Sequence, residues 1–154
     1  MTGKRIVKAT AYAAQNSVGS IGTTETSVLE IKNRVVYNNR FNLGKVLPLA
    51  ISVDNDHTKG TIIRVRINPT VSGTKNYQYR NEFNSLVLTQ KAGTTVTGGD
   101  IVESFIVGPG NSATIDIQNL GIELLPEDEI VVTVETVSGT GATVTAAITW
   151  KEEK

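Results

Sequence analysis

Apolar and polar residues alternate with a period of two through most of the second half of the chain. The runs are Ile101 to Val107, then Ala113, Ile115 and Ile117, then Ile130, Val132 and Val134, then Ala142, Val144, Ala146, Ile148 and Trp150. A strand sends successive side chains to opposite faces, so each run predicts a strand with one face in a core and the other outside it. The first half repeats the pattern at Val28 to Ile31, at Leu47 to Val53, and at Ile63, Val65 and Ile67, which alternate with Arg64 and Arg66. Turn signals separate the runs: Asp54-Asn55-Asp56-His57-Thr58-Lys59-Gly60, Asn68-Pro69, Gly108-Pro109-Gly110, Leu124-Leu125-Pro126-Glu127-Asp128-Glu129 and Ser138-Gly139-Thr140-Gly141. Three hairpins are predicted, each joining the two runs that flank a turn: 47–53 with 63–67, 101–107 with 113–117, and 130–134 with 142–150. No window sustains helical spacing, and the many Val, Ile and Thr residues disfavour helices throughout.

Eight or nine short strands without βαβ alternation predict an all-β fold, an antiparallel β-sandwich with jelly-roll connectivity, in which Trp150 closes one end of the core. Ile6 to Ala14 is a candidate strand or extended arm, and the Gly, Ser, Asn and Thr of 15–24 leave little apolar area to offset ordering entropy. Residues 1–24 are therefore expected to be an N-terminal arm and linker, and 25–154 the sandwich domain. Asn33 to Asn42 reads as strand and loop, too rich in Asn for a helix.

A chain of 154 residues fits one domain with a sizeable core. With no cysteine, disulfides and thiolate metal sites are excluded. No apolar run approaches the about 20 residues that cross a bilayer, and the start lacks the apolar stretch of a secretory signal, so a chain made and used from the cytoplasm, with no membrane partner, is expected. The zero net charge hides a division. Residues 1–80 carry twelve Lys or Arg against four Asp or Glu, and residues 81–154 carry three against eleven. Either the strands of the two halves intermix in the fold, or a basic and an acidic surface steer copies of the chain together.

Catalytic chemistry finds no setting. His57 is the only histidine and sits in a turn, which removes paired-histidine metal sites. Asp54-Asn55-Asp56 echoes a calcium loop but lacks the correctly spaced Gly and bidentate Glu. Glu127-Asp128-Glu129 reads as charge that keeps a strand edge from pairing wrongly rather than as an acid/base cluster. Gly98-Gly99-Asp100 and Gly108-Pro109-Gly110 match no phosphate-binding spacing. Catalytic, cofactor and metal residues are accordingly all expected to be absent, and the chain is not expected to be an enzyme. Two groups suit contact. Lys4, Arg5, Ile6, Val7 and Lys8 form a basic, partly apolar arm for a neighbouring protein, with too few charges to favour nucleic acid. Tyr77 and Tyr79, with Phe83, are aromatics that either cap the core or stack on sugars.

The order of segments carries a resemblance. A Gly/Thr-rich linker is followed by Thr24-Glu25-Thr26-Ser27-Val28-Leu29-Glu30-Ile31, by Arg64-Val65-Arg66-Ile67, by Leu124-Leu125-Pro126-Glu127-Asp128-Glu129-Ile130-Val131-Val132, and by Val144-Thr145-Ala146-Ala147-Ile148-Thr149-Trp150-Lys151-Glu152-Glu153. Across residues 24–153 this resembles small β-sandwich structural proteins of tailed bacteriophage virions. Glu127 stands where that family's turn usually carries Gly. The resemblance implies a capsid decoration, auxiliary or head-fibre role, or a tail adaptor. It also implies small homo-oligomers, major capsid or tail proteins as partners, an arm ordered on a neighbour, a virion location and no enzymatic step. A carbohydrate-binding, lectin-like module is the alternative on the same architecture, with Tyr77 and Tyr79 as its contacts.

Overall fold

The computed structural model describes residues 11–81, 85–90 and 94–154. In chain order the strands are β1 (Ala11–Ile21), β2 (Thr26–Asn33), β3 (Val36–Tyr37), β4 (Arg40–Phe41), β5 (Lys45–Asn55), β6 (Thr61–Ile67), β7 (Thr70–Val71), β8 (Gln78–Tyr79), β9 (Val87–Gln90), β10 (Val96–Thr97), β11 (Asp100–Val107), β12 (Ser112–Asp116), β13 (Glu129–Thr136) and β14 (Ala142–Glu153). They form two antiparallel sheets, ordered β1-β14-β5-β12 and β11-β6-β13-β2-β9-β8, with β3–β4 and β7–β10 as separate small pairs. Among the eight long strands, successive members switch sheets at every connection except β6 to β11, whose intervening residues carry β7 to β10. Two interlocked Greek keys of this order make a jelly roll, as the sequence predicts.

The alternation places one face of each strand in a shared core. Leu29 and Ile31, Ile51 and Val53, Ile63 and Val65, Val132 and Val134, and Ala146, Ile148 and Trp150 are all buried between the sheets. Trp150 closes one end: Tyr12 stacks on it at 6.3 Å, and its indole N–H donates to Glu152. Pro48 sits in the interior strand β5, where the register against β14 slips by one residue. The partner strand β12 reaches only as far as Ala50, so no ladder donor is missing at the proline.

The three predicted hairpins need correction. β5 and β6, β11 and β12, and β13 and β14 each belong to opposite sheets, so each predicted hairpin turn is a corner that carries the chain across the sandwich. The strands themselves stand where the alternation puts them. The boundary between arm and domain also moves. Ala11–Ile21 is a strand of the first sheet, paired with β14 from Ala11 against Lys151 to Ile21 against Ala142. Its Tyr12, Ala14 and Val18 pack against the core, and the ladder bonds supply what its modest apolar area does not. Residues 1–10 lie outside the described residues.

The second sheet is covered on its outer side as well. Val71 of β7 and Val96 of β10 pack on Val131, and this makes β13 buried on both faces. The carboxylate of Glu25 takes Arg66 at 2.5 Å and Arg64 at 3.1 Å, and Arg64 also pairs with Glu135. Lys45 pairs with Glu123 at 3.3 Å. Basic strand β6 lies between acidic β11 and β13, so at these places the two oppositely charged halves of the sequence are intermixed.

Candidate functional site

Among the described residues the two most exposed large apolar side chains, Phe41 and Leu43, stand on and just after one small hairpin, formed by β3 and β4. Phe41 is 79% and Leu43 91% exposed, and Val36, directly across from Phe41, is half exposed. The two turn residues Asn38 and Asn39 both have positive φ, 52° and 59°, as a two-residue type I′ hairpin demands. Asn accepts that backbone more readily than most residues, so the sequence selects a tight turn at this point.

A buried polar network fixes the base. Asn42 donates to the side chain of Asn33 (2.6 Å) and to the Arg34 carbonyl (2.7 Å), and it accepts the Gly44 N–H (2.8 Å). Asn33 in turn donates to the carbonyls of Gly44 (3.0 Å) and Leu124 (2.8 Å). The Arg34 guanidinium lies over the rings of Tyr37 (4.7 Å) and Tyr79 (5.0 Å), clamping the hairpin to β8. Gly44 has no room for a side chain, since a Cβ would stand 2.4 Å from Leu86 and 2.9 Å from the Glu153 carbonyl. A groove of about 470 Å³ runs beside the hairpin, lined by Tyr37, Arg40, Phe41, Leu43, Leu86 and Lys154. Chemically this is an apolar projection with a cationic flank.

Behind it, Glu152 is buried and accepts from Ser85 Oγ (2.6 Å), the Leu86 N–H (2.7 Å) and Trp150 (2.9 Å). It ties the segment after residue 84 to the core end next to the hairpin. Sequence reasoning missed both Glu152 and the hairpin. The signals were present: Glu152 has the same strand phase as Ile148 and Trp150, and Asn38-Asn39 is a type I′ pair flanked by Tyr37 and Arg40.

The predicted contact residues fall in separate places. Lys4, Arg5, Ile6, Val7 and Lys8 lie outside the described residues, as does Phe83. Tyr77 is half-buried, donates its hydroxyl to Glu129 at 2.9 Å, and lies under Lys32 and Lys75. Burial and the Glu129 charge push its hydroxyl far above the ordinary tyrosine range. Tyr79 is exposed, with Arg34 on its ring.

The remaining candidates resolve as structure. Asn55, at the heart of the calcium-like loop, is buried and holds the turn by donating to the carbonyls of Lys59 and Gly108 and accepting the His57 N–H. Among the described residues no three His, Cys, Asp or Glu side chains gather as a metal site. Glu127-Asp128-Glu129 does not guard an edge, because β13, which Glu129 opens, lies between β6 and β2. Asp128 caps the turn instead, accepting from the Leu125 N–H and from Asn68. Glu127 has a φ of 77°, a left-handed backbone at the position where the resembled turn carries Gly.

No protein-family model matches the chain, and no curated protein matches it. Among solved structures it is similar to a chain in the crystal structure of PirA, at 9% identity over 95% of this chain and 99% of that one, TM-score 0.39. It is similar also to a chain of the acidic stable capsid structure of Helicobacter pylori bacteriophage KHP30, at 9% identity over 96% of each chain, TM-score 0.42. A third likeness is to the Human Polyomavirus 6 VP1 pentamer, at 8% identity over 99% and 97%, TM-score 0.35.

Proposed function

We propose that this protein is a structural component of a virus particle. In this reading it is a decoration, auxiliary or head-fibre subunit, or a tail-surface protein, of a tailed bacteriophage. It binds the capsid or tail surface as a homo-oligomer and performs no chemical step. The observation that carries the reading is the β3–β4 hairpin, a projection held by hydrogen bonds at its base, where Phe41 and Leu43 are left exposed by the described residues. Apolar anchors held in one conformation lose little entropy on docking, and each such side chain contributes roughly 1.5–3 kcal/mol when fully buried. The jelly-roll architecture is common to virus shells and to lectins and so agrees with the reading without selecting it.

The test is attachment to purified particles from the source of the sequence. Mass spectrometry is expected to find the chain in fixed proportion to the major shell or tail protein, and its absence from washed particles would refute the assignment. Recombinant chain should rebind stripped particles, and Phe41→Asp with Leu43→Asp should abolish rebinding while leaving thermal stability unchanged. The lectin-like alternative draws on the exposed Tyr79. A glycan array decides it: binding that disappears in Tyr79→Ala would replace the virion reading.

A further inference from the structure

The two sheets have four outer strands, β1, β12, β11 and β8, and an unpaired strand edge is a template for another strand. Three of the four are blunted. β12 is five residues long and ends in Asp116, β8 is two residues long, and β11 carries Asp100 and Glu103 with a register shift between Ile101 and Glu103. β1 differs. It runs Ala-Tyr-Ala-Ala-Gln-Asn-Ser-Val-Gly-Ser-Ile without a charge or a proline, and its register stays regular from Ala11 to Val18. Among the described residues no strand lies on its outer side.

The free edge has a defined phase. The Ala13 carbonyl turns away from β14, since it accepts the Arg80 Nε at 2.8 Å. In an antiparallel ladder alternate residues face the same way, so Gln15 and Ser17 present their N–H and C=O groups outward too. We infer that β1 pairs antiparallel with β1 of a second copy about a twofold axis at Gln15, joining the two four-stranded sheets into one. Centring on Gln15 sets Ala13 opposite Ser17 of the other copy, and Gln15 opposite its own equivalent. The paired span then runs from 11 to 19, the regular part of the strand and one residue past it. No like charges meet in this register, and the residues brought together on the outer face are Ala, Gln, Ser and Gly. An open groove of about 520 Å³ beside the edge, between Ala13, Gln15, Tyr79 and Arg80, gives the incoming strand clearance. Arg80 must leave Ala13 for the pair to form, so it acts as the guard of this edge. The pairing goes beyond the virion reading and does not depend on which surface the hairpin meets.

The chain has no cysteine, and a single introduced one therefore reports the axis directly. Residues opposed across a hydrogen-bonded antiparallel pair have Cα atoms about 5.5 Å apart, within disulfide reach. Gln15→Cys should form a covalent dimer under mild oxidation, and Thr114→Cys on the β12 edge should not. In sedimentation the unmodified chain should be dimeric. Gln15→Pro, which deletes an outward N–H and leaves the β14 ladder intact, should weaken the dimer about tenfold or more, with a circular dichroism spectrum like that of the parent. Arg80→Ala should strengthen it. A chain that stays monomeric at high micromolar concentration overturns the proposal. So does a dimer that Gln15→Pro leaves untouched, or one in which Gln15→Cys fails to cross-link, since a different strand or surface would then hold the copies together.

Discussion

At the scale of single residues, the informative positions are polar side chains in core phase. Asn33 follows Leu29 and Ile31, Asn55 follows Ile51 and Val53, and Glu152 follows Ile148 and Trp150, each one alternation step past the last apolar residue. Each ends a strand by satisfying loop groups that burial would otherwise strand. Alternation was therefore legible in the sequence, but where it passes from packing to polar closure was not, because that depends on which loops arrive. Glu152→Ala should leave the Ser85, Leu86 and Trp150 donors unsatisfied and cost about 3 kcal/mol in chemical denaturation. Glu127→Gly, which relieves a left-handed backbone, should instead stabilise by up to about 1 kcal/mol. Two carboxylates set opposing pH responses. Burial would raise Glu25, but hydrogen bonds from Arg66 and Thr133 and the charges of Arg66 and Arg64 outweigh it and lower its pKa. Its contribution is thus present above the ordinary carboxylate range and is lost as pH falls below that range. Glu30 is raised, chiefly by burial, against the opposing pull of Lys75. Its contribution is present in acid and is lost as pH rises through its elevated value. Glu30→Gln should accordingly melt higher than the parent at pH 7, with the gap closing as pH falls through the carboxylate range. A gap that widens toward acid would contradict this.

At the scale of elements, strand positions were legible and strand partners were not. The turn chemistry of Asp54 to Gly60, Gly108-Pro109-Gly110 and Ser138 to Gly141 is the same whether a chain folds back into its own sheet or crosses to the facing one. The choice lies in long-range packing, with β6 drawn beside β13 and β5 beside β14 across more than sixty and more than eighty intervening positions. β1 is hard to read for a related reason: much of its composition is that of a linker, and its order comes from a ladder to the distant strand β14. The β10–β11 turn shows how tightly such junctions are drawn. Gly99 has a φ of 70°, and a Cβ there would stand 2.5 Å from the Ile67 carbonyl and 2.7 Å from the Pro69 nitrogen. Gly99→Ala should cost about 2 kcal/mol or more in a denaturant titration, whereas Gly98→Ala, with open space around it, should cost less than half of that.

At the scale of the whole molecule, the two ends of the sandwich differ in character. One end is a set of short corners laced together by Gly110 to His57, Thr136 to Gly22 and Val137 to Gly60 backbone bonds. The other carries the β3–β4 hairpin, the buried Asn33–Asn42 and Glu152 networks, and the groove beside Lys154. The exposed Ile106 and Val137 lie by the corners, whereas Phe41 and Leu43 stand out on the hairpin at the far end. Phe41→Asp with Leu43→Asp should therefore separate attachment from folding, with unchanged melting and lost particle binding, and a variant that loses both would place the hairpin in the core's energetics instead. The pairing of Ala11 with Lys151 also bears on biosynthesis. β1 leaves the ribosome long before its mate β14 does, and it stays unpaired while the strands between them are made. A chain cut short before β14 would leave β1 without its only described ladder, so truncation after residue 141 should make the segment 11–21 the first to yield to limited proteolysis.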